Sequence, residues 1–344
     1  MKKSFKVAAV VTAGVLALSA CTSSQGGSNE ETINIVGFAV PEAANDAIEA
    51  QFQKTADGED IEFSGSYGAS GEQSRKVLDT DGKDTDYVHF SLASDVTRLV
   101  DGGLIDEDWD QGPNKGIVSS SVAVIAVEEG NPLGIKTWED LLKPEVQIIT
   151  ADPASSGAAR WNIMALYSDA IERGLSEEQA DQFLLQIFRK VTSWAASGRE
   201  ATEAFKKGVG NVLITYENEA ILARQNGETL DYVVPPNTFL IENPGAVLKN
   251  AEPQEASEKF LEYVLSDAGQ TEFVKKGFRP INDLDISGIE VEGTETPDDP
   301  FPAPTGKLST ITELGGWGEV SAEWFGKDGE QLRFDRLYAQ ATGS

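Results

Sequence analysis

From Ile33 onward, short runs of β-branched residues alternate with stretches whose apolar positions recur every three or four residues. Ile33-Asn34-Ile35-Val36 reads as a first strand, and Ala43 to Phe52 as the helix that follows it. Tyr87-Val88-His89-Phe90 reads as a buried strand. Val122–Val127, Val146–Thr150, Val212–Thr215 and Tyr232–Val234 continue the series. Short β-branched runs of this length favour strands, and the 3.6-residue period favours helices. The best-marked helix starts at Ser176, which stands as its N-cap, with Gln179 completing a capping box. Ala180, Phe183, Leu184, Ile187 and Phe188 then form one apolar stripe suited to core packing. This alternation predicts α/β lobes with largely parallel sheets. About 320 residues beyond the N-terminal segment are too many for one core, so two lobes are expected. Their bounds read as residues 33–122 plus 236–285 for the first and 123–235 for the second. Residues 286–344 form a linker, rich in proline and aspartate from Thr294 to Thr305, and a Trp-containing C-terminal segment.

The N-terminus has a different pattern. Met1 to Lys6 is cationic, and Val7 to Ala20 is apolar without a charge. That run is short for a membrane span and has the order of a signal peptide, residues 1–20. Leu18-Ser19-Ala20-Cys21 resembles the bacterial lipobox, which implies cleavage before Cys21 and lipidation of its sulfur; the alternative is an ordinary signal peptide with an incidental cysteine. Residues 21–32, small and polar, would serve as a tether. No other stretch is apolar and long enough to cross a bilayer, so the remainder is expected to be soluble and held at the outer membrane surface.

Charge and cysteine usage narrow the chemistry. The 344 residues carry a formal charge of −29, and losing Lys2, Lys3 and Lys6 with the leader takes it to −32. Such a surface repels nucleic acid and anionic lipid. Cys21 is the only cysteine, so no disulfide, zinc cluster or cysteine nucleophile is expected, and no metal or cofactor. The single histidine, His89, falls in a buried strand and reads as structural.

A small motif occurs three times ahead of a helical stretch: Gly68-Ala69-Ser70-Gly71, Ser155-Ser156-Gly157-Ala158 and Ala196-Ser197-Gly198. The first turn of a helix leaves backbone N–H groups unpaired and carries partial positive charge. Small residues let an anion approach those groups. Serine is also a common N-cap, so one such turn says little; three that converge would make a strong anion site. An acidic protein that binds an anion would need such preorganised donors in a closed, water-poor cleft. Arg75, Arg160 and Arg199 lie in the first turns of these helices. At least one is expected to brace the loops from behind, the alternative being exposed helix positions.

These segments also resemble the sulfate- and thiosulfate-binding proteins of ABC importers. The matching stretches are Gly65 to Arg75, Lys136 to Pro144, Ser156 to Asn162 and Gly210 to Ala220, within a likeness running from about Ile33 to Pro280 and resuming at Leu314-Gly315-Gly316-Trp317. The chain most resembles the lipid-anchored branch found in Gram-positive actinobacteria. The resemblance implies a two-lobe α/β periplasmic-binding-protein-like fold of type II with two hinge crossovers. It implies a monomeric receptor that holds sulfate and passes it to separate ABC permease subunits. It places a backbone donor on Ser70, a hydroxyl on Ser156, amides on Gly157 and Ala158, and a further amide on Gly198, with Ser197 or Arg199 as the alternatives. The family's indole position falls on Tyr216, and Ala158 stands where glycine is often found. The early strand reads Gly37-Phe38-Ala39-Val40-Pro41-Glu42, without the aspartate that many members carry. Indole only donates, whereas a phenol also accepts. Sulfate is fully ionised and needs donors alone, while phosphate keeps a proton; Tyr216 therefore leaves phosphate or molybdate as alternative ligands.

Two other function classes fit the sequence less well. A secreted hydrolase would need His89 as its only base, and neither Ser70 nor Ser156 lies in a Gly-x-Ser-x-Gly setting. A calcium loop at Asp79–Asp86 has its glycine misplaced and Phe90 at the twelfth position, so a solvated acidic loop is the better reading. Asp106–Asp110 reads as surface.

Overall fold

In a computed structural model of the chain, residues 31–325 and 332–343 are described. Cys21, the leader and residues 22–30 lie outside them. The first half runs β1 (Glu31–Phe38), α1 (Glu42–Phe52), β2 (Ile61–Gly68), α2 (Ser70–Asp79), β3 (Tyr87–His89), α3 (Ala93–Asp101) and β4 (Ile117–Glu128). There follow β5 (Ile148–Ala151), α4 (Gly157–Glu172), α5 (Glu177–Phe188), β6 (Val191–Ala195), α6 (Gly198–Lys206), β7 (Val212–Tyr216), α7 (Glu217–Gln225), β8 (Leu230–Val233) and β9 (Thr238–Val247). Helices α8 (Gln254–Leu265) and α9 (Asp267–Lys275), strand β10 (Leu308–Ser309), and helices α10 (Gly316–Val320) and α11 (Arg333–Thr342) complete the chain. β1 begins earlier than the sequence pattern marks. Glu31 and Thr32, assigned above to the tether, already pair with Ile61 and Glu62 of β2.

The strands form one continuous sheet in the order β2-β1-β3-β9-β4-β7-β5-β6, with β8 on β4 and β10 on β9. β1, β2 and β3 are parallel, as are β5, β6 and β7. Every antiparallel pairing involves β4 or β9. These two strands cross between the lobes. β4 pairs with β9 over Ile117–Val122 and with β7 from Ala123 onward. β9 leaves β4 at Pro244 and joins β3 from Gly245. The proline sits opposite Ile117, where the register shifts, a place where a missing N–H is tolerated. The expected parallel sheets are therefore present within each lobe, and the hinge strands make the whole sheet mixed.

Apolar faces pack helices onto both lobes. The stripe on α5 is buried throughout, and its capping box forms: Ser176 Oγ accepts from Gln179 N and the Gln179 side chain accepts from Ser176 N. The C-terminal segment touches both lobes. Trp317 on α10 meets Trp161 edge-on at 4.6 Å, and α10 lies against α3. α11 packs on α5, with the Arg333 guanidinium 4.2 Å from the Trp324 ring centre and 4.7 Å from that of Tyr167. No helix among the described residues is long and apolar enough to cross a membrane.

Polar groups fix the frame at three buried points. Asp86 departs from the solvated-loop reading: it is buried and accepts from Asn34 N, Asn34 Nδ2 and Glu252 N at 2.7–2.8 Å. His89 is fully buried, its ring nitrogens 3.1 Å from Asn45 Oδ1 and 3.0 Å from Ser119 Oγ, and burial pushes its pKa down to about 3. Asn45 extends this chain by donating to the Tyr67 hydroxyl at 3.2 Å. Beside Tyr67, burial and then the nearby Asp46 charge push Glu49 up to about 7, and its Oε1 has no partner. The third point is the Glu217–Arg279 pair at 2.7 and 3.0 Å, with Glu217 fully buried. Arg279 N also donates to Ser120 O of β4, and its guanidinium to Phe301 O and Pro302 O, which docks the linker on the frame.

Two stability predictions result. Arg279→Met leaves Glu217 buried without its cation and should cost about 3–5 kcal/mol of unfolding free energy in urea titration; a loss below 1 kcal/mol would show that the pair is not the anchor described. Glu49 titrates higher folded than unfolded, so its contribution is favourable below the unfolded value and is lost as pH rises from about 4.5 to about 7. Glu49→Gln should therefore be more stable than the natural chain at pH 8 by about 1–3 kcal/mol, with the gap closing toward pH 4. A gap independent of pH would remove that explanation.

Candidate functional site

The three Ser-Gly turns open helices at the carboxyl ends of parallel strands, and they meet. Ala69 is the N-cap of α2, Ser156 of α4 and Ser197 of α6, so Ser70, Gly157 and Gly198 are the first helical residues. Gly71 N donates to Ser155 O at 3.2 Å, joining α2 of one lobe to the loop before α4 in the other. A Cβ on Gly157 would stand 2.7 Å from Ser91 Cβ and 2.8 Å from Ser91 Oγ. One on Gly198 would stand 3.2 Å from both Ala158 Cβ and Val40 Cγ2. A side chain at Gly157 would thus clash with Ser91 of the other lobe, and one at Gly198 would be tight against Ala158 and Val40. Ser70, Ser156, Gly157, Ala158 and Gly198 are all buried there.

The hydroxyls differ in what they bond. Ser70 Oγ donates to Asp95 Oδ2 at 2.7 Å and accepts from Ser91 N at 2.9 Å, which leaves only the backbone amide of Ser70 for other use. Ser197 Oγ accepts from Glu200 N. Ser155 Oγ donates to Ala196 O at 2.7 Å and ties the second turn to the third. Ser156, only 3 % exposed, makes no capping bond and has no other side-chain partner among the described residues. Tyr216 ends β7 as the N-cap of α7, fully buried, with its hydroxyl 2.9 Å from Ser91 Oγ. Burial pushes its phenol far up, so it stays protonated.

Ser91 is the residue that sequence reading missed. It follows β3 and is 0 % exposed. Its carbonyl accepts from Trp161 Nε1 of α4 at 2.9 Å and from Asn243 Nδ2 of β9 at 3.0 Å. One side chain and one peptide unit therefore touch α2, α4, β7 and a hinge strand. Only the serine after a buried strand and before a helix signalled it, and that pattern is common.

Positive charge gathers behind the turns. Asp95, buried beneath Ser70, accepts from Arg98 Nη1 at 3.0 Å. Arg160 Nε donates to Pro153 O at 3.2 Å, and its guanidinium lies 4.9 Å from the Phe325 ring centre. Burial pushes Arg160 downward, opposed by Asp95 and reinforced by Arg98 and Arg75. Arg199 binds both oxygens of buried Glu219 at 2.8–3.2 Å and donates through Nη2 to Val40 O at 3.0 Å. Arg160 thus braces the loop before α4 through a backbone carbonyl, as expected of at least one of the three, while Arg199 ties the start of α6 to Val40 after β1. His89 bonds neither Ser70 nor Ser156, and at its lowered pKa it is a poor base, so it does not form the histidine–serine pair a hydrolase would need.

The model of the family described as bacterial extracellular solute-binding protein matches residues 33–279. A sulfate-binding protein of Synechococcus elongatus is 39 % identical over 352 residues, covering 98 % of this chain and 96 % of the relative. A thiosulfate-binding protein of Pseudomonas aeruginosa is 34 % identical over 241 residues, covering 67 % of this chain and 72 % of its own. Among solved structures, the sulfate-binding protein SubI from Mycobacterium tuberculosis H37Rv superposes with a TM-score of 0.80 at 38 % identity, over 86 % of this chain and 100 % of that one. With matching family model, near-full-length relatives and two lobes joined by two crossover strands, the chain belongs to the bacterial extracellular solute-binding proteins.

Proposed function

We propose that the chain is a receptor that captures sulfate outside the cell and delivers it to the permease of an ABC importer, with thiosulfate as a second ligand of the same site. It is a binding protein and not an enzyme. The observation that carries the ligand class is the meeting of three small-residue helix N-termini from two lobes beside the unengaged hydroxyl of Ser156. The anion would take backbone N–H groups of Ser70, Gly157, Ala158 and Gly198, the Ser156 hydroxyl and the Tyr216 phenol. Unpaired N–H groups at helix starts suit a dianion, since they donate without accepting and are fixed before the ligand arrives. We assign residues 33–122 and 236–285 to one lobe and 123–235 to the other. The change of β4's partner between Val122 and Ala123 supports that division. Lipidation at Cys21 would hold a monomer at the outer face of the membrane, in keeping with the actinobacterial branch.

Phosphate or molybdate is the second reading, and Tyr216 favours phosphate in particular, because a phenol has a lone pair to offer a protonated anion. Calorimetric titration of the mature chain, freed of bound anion, decides between them. Heat from sulfate and none from phosphate supports the leading reading, phosphate binding supports the second, and silence from both removes the oxyanion site. Gly157→Ala should leave the fold intact but weaken sulfate binding about 10- to 100-fold, because the new methyl must displace Ser91 where the lobes meet. Unchanged affinity in that variant would place the anion elsewhere. Cys21→Ala should release the chain from the membrane fraction into the medium; retention at the membrane would count against the lipid anchor.

A further inference from the structure

The contact between Ser91 and Tyr216 bears on which anions the site admits, and its reading rests on the oxyanion function proposed above. Ser91 is held on every side. Its N–H donates to Ser70 Oγ, and its carbonyl accepts from Trp161 and Asn243. Its Oγ then sits 2.9 Å from the Tyr216 hydroxyl and 2.8 Å from where a Cβ on Gly157 would stand, against the first residue of α4. Two hydroxyls share one hydrogen bond, and either can be the donor. The surroundings decide the direction. The start of α4 presents unpaired N–H groups and the positive end of the helix dipole. Those attract the lone pairs of Ser91 Oγ and turn its proton away from α4, toward Tyr216. With the Asn243 side chain also facing the phenol as a donor, the phenol oxygen then has its acceptor positions filled, and its own proton is left for the ligand.

We propose that Ser91 is a specificity-determining residue: by donating to Tyr216 it makes the phenol a donor only, and the site then disfavours oxyanions that carry a proton. Tyrosine in place of an indole would by itself relax the choice between sulfate and phosphate. Ser91 restores it without touching the anion. A protonated phosphate entering the site then has only the Ser156 hydroxyl left to accept its proton, and using that hydroxyl as an acceptor takes a donor away from the anion.

The test is titration of the full mature chain with sulfate and with inorganic phosphate at pH 8, where phosphate carries two charges and one proton. The natural chain, Ser91→Ala, Tyr216→Phe and the double variant are compared. Ser91→Ala is expected to narrow the sulfate-to-phosphate affinity ratio by about tenfold or more, chiefly by gaining phosphate affinity. In the Tyr216→Phe background the same change should leave the ratio where it is. Equal weakening of both anions in Ser91→Ala would overturn the proposal and reduce Ser91 to packing. An equal narrowing with and without the phenol would overturn it too, because Ser91 would then be acting on the anion directly. Should Ser91→Ala lose its fold, Ser91→Cys, similar in size and a poor donor, gives the same reading. A natural chain that binds no sulfate removes both the receptor function and this inference. One that binds sulfate, with a ratio unmoved by Ser91→Ala, removes the inference alone.

Discussion

The antiparallel pairing of β4 with β9 is the constraint from which the rest of the molecule takes its direction. β4 leaves the first lobe and enters the second, and β9 returns. β3 is antiparallel to β9, so β1, β2 and β3 run the same way as β4. β7 is antiparallel to β4, so β5, β6 and β7 run the opposite way. The carboxyl ends of both parallel sets therefore face each other across the junction. In a parallel sheet each strand's carboxyl end feeds the amino end of a helix, so α1, α2 and α3 confront α4, α6 and α7. Nothing about the individual turns needs to be special for this to happen. Strand direction alone brings the positive ends of helices from two lobes to one place.

What the turns add is closeness. Backbone from the two lobes approaches until Gly157 meets Ser91 and Gly198 meets Val40, and a side chain at either glycine would hold the lobes apart. At the turns themselves, the contacts among the described residues that join the lobes are mostly neutral: Gly71 to Ser155, Trp161 to Ser91 and Ser91 to Tyr216, with Arg199 to the Val40 carbonyl as the charged donor. A neutral hydrogen bond contributes about 1 kcal/mol net. Contacts of this size are weak against a hydrophobic core, which would suit two bodies that part and close around a ligand. Permanent joining is left to the crossover strands and to the Arg279–Glu217 pair beside them.

Much of this was legible in the sequence, and the reason differs from element to element. The capping box at Ser176 and the stripe on α5 are local patterns, and they appear as read. The helices after the three Ser-Gly turns are visible too, because small residues before a helical period need no fold to be seen, though Ser70, Gly157 and Gly198, read as turn residues ahead of the helices, are already helical. β9 was not read as a strand, since Asn243-Pro244-Gly245 carries the marks of a turn; only its pairing with three different strands makes it one. Ser91 was missed for the same kind of reason. Its partners lie at positions 70, 161, 216 and 243, and no window of sequence holds two of them with it. Asp86 looked like one more charge in an acidic loop. Its burial follows from Asn34 and Glu252, both more than fifty positions distant along the chain.

The acidic balance of the chain and an anion site are compatible only because they use different physics at different distances. Surface carboxylates act through water and salt, where their fields fade over about 10 Å. Helix N-termini and hydroxyls act across a hydrogen bond in a place from which water is largely excluded, and there dipoles are strong. Arg98, Arg160 and Arg199 stand between the two regimes. Each is tied to a carboxylate or a carbonyl, so their charge supports the turns without offering a mobile cation to the ligand. A cation in the site would attract any anion of sufficient charge. Fixed neutral donors discriminate by geometry and by whether the ligand brings a proton of its own, and under the proposal above that choice would fall to the hydroxyl pair of Ser91 and Tyr216 rather than to the protein's net charge.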